Sequence, residues 1–171
     1  SAGRLTNQKN YPYLVNEFFE FSKINDQFIL LILGEGEKKS AIHGLIKKRG
    51  IENKVFLLGY KKNIYSYMQK SSAFVLSSLW EEVGFVIVEA ALCNSFVISS
   101  NCPNGPKEFL DNGKRGILFE SNQSKALFNS LKNFSKMDKN KIFENKLRLK
   151  KEAKKYTIFR HYIELNKILE L

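Results

Sequence analysis

The chain has 171 residues, of which 28 are Lys or Arg and 17 are Asp or Glu, for a formal net charge of +11. With 43% hydrophobic and 13% aromatic residues it can bury a core, which argues against intrinsic disorder and for one domain of ordinary size. No apolar run approaches the roughly 18 residues of a membrane span, and no basic-then-apolar signal pattern opens the chain, so a soluble cytoplasmic protein is expected.

Ser1-Ala-Gly-Arg-Leu5 reads as the end of a strand running into a loop, with no residues before it to form that strand, so a fragment of a longer protein is expected. Tyr11 to Ile24 then shows helical period. From there short apolar runs alternate with amphipathic stretches. The runs are Phe28 to Leu33, Val55 to Leu58, Ala73 to Leu76, Phe96 to Ile98 and Gly116 to Phe119; the stretches are Glu37 to Arg49, Ile64 to Gln69, Phe85 to Leu92 and Pro106 to Leu110. The runs are too short for helices and lack polar alternation, which predicts strands buried on both faces. Strand and helix in alternation predict an α/β protein with a doubly wound parallel sheet. Residues 1–122 form this core, and Gln123 to Leu171 reads as two or three helices packing on the same domain.

Lys and Arg crowd Asp138 to Lys155. A solvated helix face is the plain reading, and a face turned to an anionic membrane or an acidic partner the sharper one. Cys93 and Cys102 have no C-x-x-C or zinc-ligand spacing and read as free or buried thiols. His43 and His161 fall on predicted helices away from the strand ends, where packing or surface roles are expected.

In an open parallel sheet, ligands bind beyond the carboxyl ends of the strands. Gly3 followed by Arg4 and Lys9 offers a turn and two cations at a helix start, a combination suited to phosphate. Gly34-Glu-Gly36 follows the next strand and reads either as a turn or as part of a nucleotide site. In Ser77 to Ala90 a loop carries Glu81 and Glu82, Gly84 opens an apolar helix, and Glu89 is set into that helix, where it needs a hydrogen-bonding partner. The free N–H groups of the helix start, unobstructed at Gly84, suit an anion.

The Glu81-x7-Glu89 spacing with Gly84 between resembles the E-x7-E motif of retaining nucleotide-sugar glycosyltransferases of the GT-B fold, the large family that builds lipopolysaccharide, capsule and other bacterial glycans. Gly3-Arg-Leu-Thr-Asn-Gln-Lys-Asn10, Val55-Phe-Leu-Leu-Gly-Tyr60, Asn101 to Glu108 and Gly113 to Phe119 resemble further segments of that family, in the same order. The resemblance implies a Rossmann-like, C-terminal, donor-binding half of such an enzyme, a hexosyl- or N-acetylhexosaminyltransferase. Arg4 and Lys9 would bind the diphosphate and Glu81 the hydroxyls of the transferred sugar; these three are the expected catalytic residues. Glu89 would take the ribose, backbone from Gly84 through Phe85 to Val86 would approach sugar and phosphate, and Gly3, Gly59 and Tyr60 would complete the donor site. Glu82 and Val83 depart from the family, which often has Gly and Phe there.

Two cations and a helix start can stabilise a departing diphosphate without a metal, and the chain has no Asp-x-Asp metal motif, so no cofactor is expected. The expected partners are a nucleotide-sugar donor, a glycan or lipid-linked acceptor reached through an absent N-terminal domain, and an anionic membrane surface on its inner face. The alternatives are a free-standing nucleotide or nucleotide-sugar binding module, a hydrolase using the two carboxylates, a GT-B epimerase or phosphorylase, and a nucleic-acid-binding domain. The last would need basic residues interleaved with exposed aromatics, which the sequence lacks, so no nucleic acid is expected.

Overall fold

Every apolar run forms a strand in the computed structural model, which describes residues 1–169. The strands are β1 (Leu30–Leu33), β2 (Val55–Gly59), β3 (Ala73–Leu76), β4 (Phe96–Ser100) and β5 (Ile117–Phe119). The helices between them are α1 (Tyr11–Ser22), α2 (Lys39–Arg49), α3 (Tyr65–Lys70), α4 (Phe85–Leu92) and α5 (Pro106–Phe109). The tail contributes α6 (Ala126–Ser135), α7 (Lys139–Ala153), a 3₁₀ turn at Lys154–Tyr156, and α8 (Ile158–Leu169). Among the described residues no helix is long and apolar enough to cross a membrane.

All strand pairs are parallel, as helical crossovers require. They fall into two hydrogen-bonded groups, β1 with β2 and β3-β4-β5. Ala2 adds a parallel bridge to Leu33 of β1, with the Gly3 N–H donating to the Leu33 carbonyl at 2.9 Å. The first residues therefore lie beside β1 through a single parallel bridge. An apolar cavity of about 290 Å³ lies between β1 and β3, with Leu30, Phe74 and Phe134 among its walls.

β4 is buried at all five positions, and its alternate side chains enter different cores. Phe96 and Ile98 pack with Leu14 and Phe18 of α1 and Leu131 of α6. Val97 packs with Ile87 and Ala91 of α4 and Leu149 of α7. Helices thus cover both faces, and the continuous apolar character of the run follows from that double cover.

Local chemistry sets several helix ends. α2 stops at Gly50, whose φ of 65° permits the left-handed cap, after the basic last turn Lys47-Lys48-Arg49. At the start of α7, Asp138 accepts the Asn140 N–H. α6 has no such local cap. Its first N–H groups are met from α1, where Glu17 accepts those of Lys125 and Phe128 at 3.1 and 3.0 Å. α8 buries none of its side chains among the described residues, and Ile158, Phe159, Tyr162 and Ile168 are exposed.

Candidate functional site

A cleft of about 380 Å³ opens beyond the carboxyl ends of β1 and β2. The first loop supplies Gly3, Arg4 and Lys9 to its wall, and Val86 of α4 faces them. Gly34 and Glu35 follow β1 there; Tyr60 and Lys61 follow β2. The cleft is where a parallel sheet places its ligand, because the strand ends diverge into loops at that edge.

Gly34-Glu-Gly36 is the reason the first loop can lie so close. A Cβ at Gly34 would sit 1.9 Å from the Gly3 carbonyl oxygen, and one at Gly36 would sit 2.5 Å from that of Leu5. The Leu5 N–H donates to the Glu35 carbonyl at 2.8 Å across this contact. Close backbone packing, a role not read from the sequence, accounts for both glycines, and Gly34 also lines the cleft.

The loop between β3 and α4 is stitched to the first loop. The Leu79 N–H donates to the Gln8 carbonyl at 2.8 Å, the Gln8 amide to the Trp80 carbonyl at 3.0 Å, and the Ser77 hydroxyl to the Lys9 carbonyl at 2.8 Å. These bonds bring Lys9 Nζ to 2.6 Å from Glu81 Oε1, in a pair whose side chains are 14% and 8% exposed. The Ser78 hydroxyl donates to the same oxygen at 2.5 Å. Arg4 is exposed, and among the described residues it makes no side-chain hydrogen bond or ion pair, so its guanidinium is free to meet an anion. The two cations of the first loop are therefore in different states.

Gly84 adopts φ 72° and starts α4 as its N-cap, leaving the first N–H groups of the helix without a side-chain partner among the described residues. Its conformation is held from outside. Gly105 packs so tightly that a Cβ there would lie 2.2 Å from the Val83 carbonyl oxygen. Phe85 projects 57% exposed, while Glu89 lies three residues beyond Val86 on the same side of α4. Glu89 is half-buried and has no side-chain hydrogen bond among the described residues, and burial raises its carboxyl pKa above the ordinary value. Gly59 takes φ 69°, with a Cβ there reaching 2.8 Å from Glu35 Oε1, and Tyr60 stands 76% exposed at the rim. Glu82 and Val83, the departures from the family pattern, lie in an exposed part of the loop.

Gly3, Arg4, Lys9, Tyr60 and Val86 thus share one cleft, with Glu81 tied to Lys9 and Gly84, Phe85 and Glu89 on the adjoining helix start. Gly59 stands next to the cleft rather than in its wall. Sequence reasoning gave no individual role to Ser78, Gly105 or Lys61, and named Glu35 only within Gly34-Glu-Gly36. Lys61 carried a signal of its own, as a cation just beyond a strand end. His43 and His161 are exposed on α2 and α8, away from the cleft. Burial raises the thiol pKa of both Cys93 and Cys102, which favours the protonated thiol at neutral pH.

The model of the family described as glycosyl transferases group 1 matches residues 1–156. The chain is 41% identical over 110 residues to an uncharacterized glycosyltransferase of Methanocaldococcus jannaschii, covering 64% of this chain and 27% of that protein. It is 32% identical over 154 residues to the N-acetylgalactosamine-N,N'-diacetylbacillosaminyl-diphospho-undecaprenol 4-alpha-N-acetylgalactosaminyltransferase of Campylobacter jejuni, covering 90% of this chain and 41% of that enzyme. The chain thus spans less than half the length of these relatives. Among solved structures, a mutant of Staphylococcus aureus TarM in complex with fondaparinux, alpha-GlcNAc-glycerol and UDP superposes with a TM-score of 0.87 at 23% identity, over 99% of this chain and 34% of that one.

Proposed function

The chain belongs to the glycosyl transferases group 1 family, with the fold of its C-terminal domain, and from that premise we propose that it is the donor-binding half of a retaining glycosyltransferase. The donor is a nucleotide sugar, and the whole protein passes the sugar to a glycan or lipid-linked acceptor in cell-surface polysaccharide synthesis, on the cytoplasmic side. The observation that carries this reading is the convergence of Arg4, Lys9 with Glu81, and the start of α4 around one cleft at the strand ends.

Each group has a task that follows from its setting. Arg4, unpaired at the cleft wall, and the free N–H groups after Gly84 meet the diphosphate, and they stabilise the charge that develops on it as the glycosyl bond breaks. Lys9 adds charge while holding Glu81. Glu81 accepts from the sugar hydroxyls, and Glu89 from the ribose, since a carboxylate makes bonds about twice as strong as a neutral acceptor. Gly3, Gly59, Tyr60, Phe85 and Val86 shape the walls for base, ribose and sugar. These cations and helix N–H groups supply the charge that a metal supplies elsewhere, so we propose transfer without a metal cofactor. Acceptor contacts belong to the remaining length of the relatives, so residues 1–171 alone bind donor and transfer nothing.

The test is calorimetric titration of the chain with UDP, GDP and ADP, repeated on Arg4→Ala and Glu89→Ala. One nucleotide is expected to bind, and each variant to weaken it about tenfold or more, the value of one charge-assisted hydrogen bond. Affinity unchanged in both variants would move the site elsewhere.

A further inference from the structure

Glu81 and Glu89 occupy equivalent ends of one motif, yet the fold treats them differently. Glu89 is half-buried with no side-chain partner among the described residues, whereas Glu81 is 7% exposed and held by two donors. Both donors act on the same atom: Lys9 Nζ stands 2.6 Å and Ser78 Oγ 2.5 Å from Oε1. A carboxylate oxygen offers about two lone-pair sites, so Oε1 is filled. Oε2 has no protein partner among the described residues, and it is not among the buried atoms left without one. It is the oxygen with acceptor capacity to spare.

Ser78 is itself locked. Its side chain is fully buried, and its carbonyl accepts the Ser100 hydroxyl at 2.7 Å and the Ser121 hydroxyl at 3.2 Å. Ser100 ends β4 and Ser121 follows β5, so the hydroxyl that grips Glu81 is referenced to the centre of the sheet. Lys9 sits on a loop and reaches Glu81 through a flexible stem. Of the two donors, the serine is the one anchored to the ends of β4 and β5.

We propose that Ser78 is a positioning residue of the donor site: by gripping Oε1 of Glu81 beside Lys9, it turns Oε2 toward the hydroxyls of the transferred sugar and so gives the protein its preference for a nucleotide sugar over the bare nucleotide. The proposal rests on the donor-site reading given above. Ser78 does not touch the donor. It acts only through Glu81, and its removal changes recognition of the sugar and not of the diphosphate.

The experiment measures, on the full chain, the affinities for UDP, UDP-glucose, UDP-N-acetylglucosamine, GDP and GDP-mannose, for the unsubstituted protein and for Ser78→Ala, Ser78→Thr and Glu81→Gln. The unsubstituted protein is expected to favour one nucleotide sugar over its nucleotide. Ser78→Ala is expected to lower that ratio about fivefold to tenfold, a large part of one hydrogen bond to a charged acceptor, at unchanged nucleotide affinity. Ser78→Thr keeps the hydroxyl and restores the ratio. If Ser78→Ala does not fold, Ser78→Cys, of similar size and a weaker donor, is expected to lower the ratio. An unchanged ratio in Ser78→Ala or Ser78→Cys while Glu81→Gln loses it overturns the proposal, and so does an equal loss for nucleotide and nucleotide sugar, the mark of a purely structural role. Absence of any nucleotide sugar preference in the unsubstituted protein overturns it with the nucleotide site left standing; absence of all nucleotide binding overturns the donor-site reading first.

Discussion

Lys9 Nζ lies 2.6 Å from Glu81 Oε1, joining across 72 positions of sequence the cation assigned to diphosphate and the carboxylate assigned to sugar. The pair is mostly withdrawn from water, so each charge depends on the other. Under the proposed function, a nucleotide sugar entering this site meets a prearranged donor and acceptor, with little reorientation left for binding.

Removing one partner should therefore be worse than removing both. Lys9→Met leaves Glu81 with the Ser78 hydroxyl alone and is expected to destabilise by about 3 kcal/mol, as for other buried pairs broken on one side. Lys9→Met with Glu81→Gln is expected to recover about half of that loss. Urea unfolding of the three variants gives the coupling energy, expected at about 1–3 kcal/mol. Additive losses would show that the pair has no energetic reality.

Glu89 sets a pH dependence. Burial raises its carboxyl pKa; in the proposed donor site ribose hydroxyls bind the charged form, so donor binding is expected to release a proton and affinity to fall as pH drops through that raised pKa. The sign for folding is opposite. Since the folded pKa lies above the unfolded one, the carboxylate lowers stability at pH above its folded pKa, and the penalty fades as pH falls toward the unfolded value. Glu89→Gln is expected to flatten the pH dependence of nucleotide affinity on the acid side and to raise the melting temperature slightly at neutral pH. Calorimetric titration and thermal melts between pH 4 and pH 8 measure both, in a range of roughly the ordinary carboxylate value upward.

Much of this fold was legible because parallel strands covered on both sides must be apolar throughout, as Phe96-Val-Ile98 is, and because the cleft must lie where such strands end. The candidate residues Arg4, Lys9, Glu81 and Glu89 stand in loops beside strand ends or on the helix that follows one. What escaped the sequence is long-range. Nothing near Ser78 announces that its hydroxyl meets Glu81, because serines in loops bond many things. Nothing near Gly105 announces the Val83 carbonyl beneath it, and nothing near Glu17 announces that Lys125, 108 residues away, donates to it.

That last contact predicts a stability effect far from the cleft. Glu17 is 8% exposed and caps α6 with both oxygens, while Tyr13 accepts the Leu127 N–H at 3.2 Å beside it. Glu17→Ala orphans two helix N–H donors and removes a negative charge from the positive end of the helix. A loss of about 2 kcal/mol is expected, with Glu17→Gln costing less. Hydrogen exchange should accelerate first in α6, and nucleotide affinity should stay as it was.

Two glycine-to-alanine substitutions should have opposite outcomes. Gly44 lies inside α2 with ordinary helical backbone and open space where a Cβ would go, so Gly44→Ala is expected to stabilise by about 0.5–1 kcal/mol through helix propensity. Gly34 has φ 139°, and its Cβ would fall 1.9 Å from the Gly3 carbonyl oxygen. That neighbour is backbone and cannot rotate away, so Gly34→Ala must lift the first loop off the end of β1, with Arg4 and Lys9 on it. Thermal melts should rise for Gly44→Ala and fall by several degrees for Gly34→Ala, and calorimetry should find nucleotide binding kept in the first and lost in the second. Retained binding in a folded Gly34→Ala protein would mean that the first loop does not hold the diphosphate.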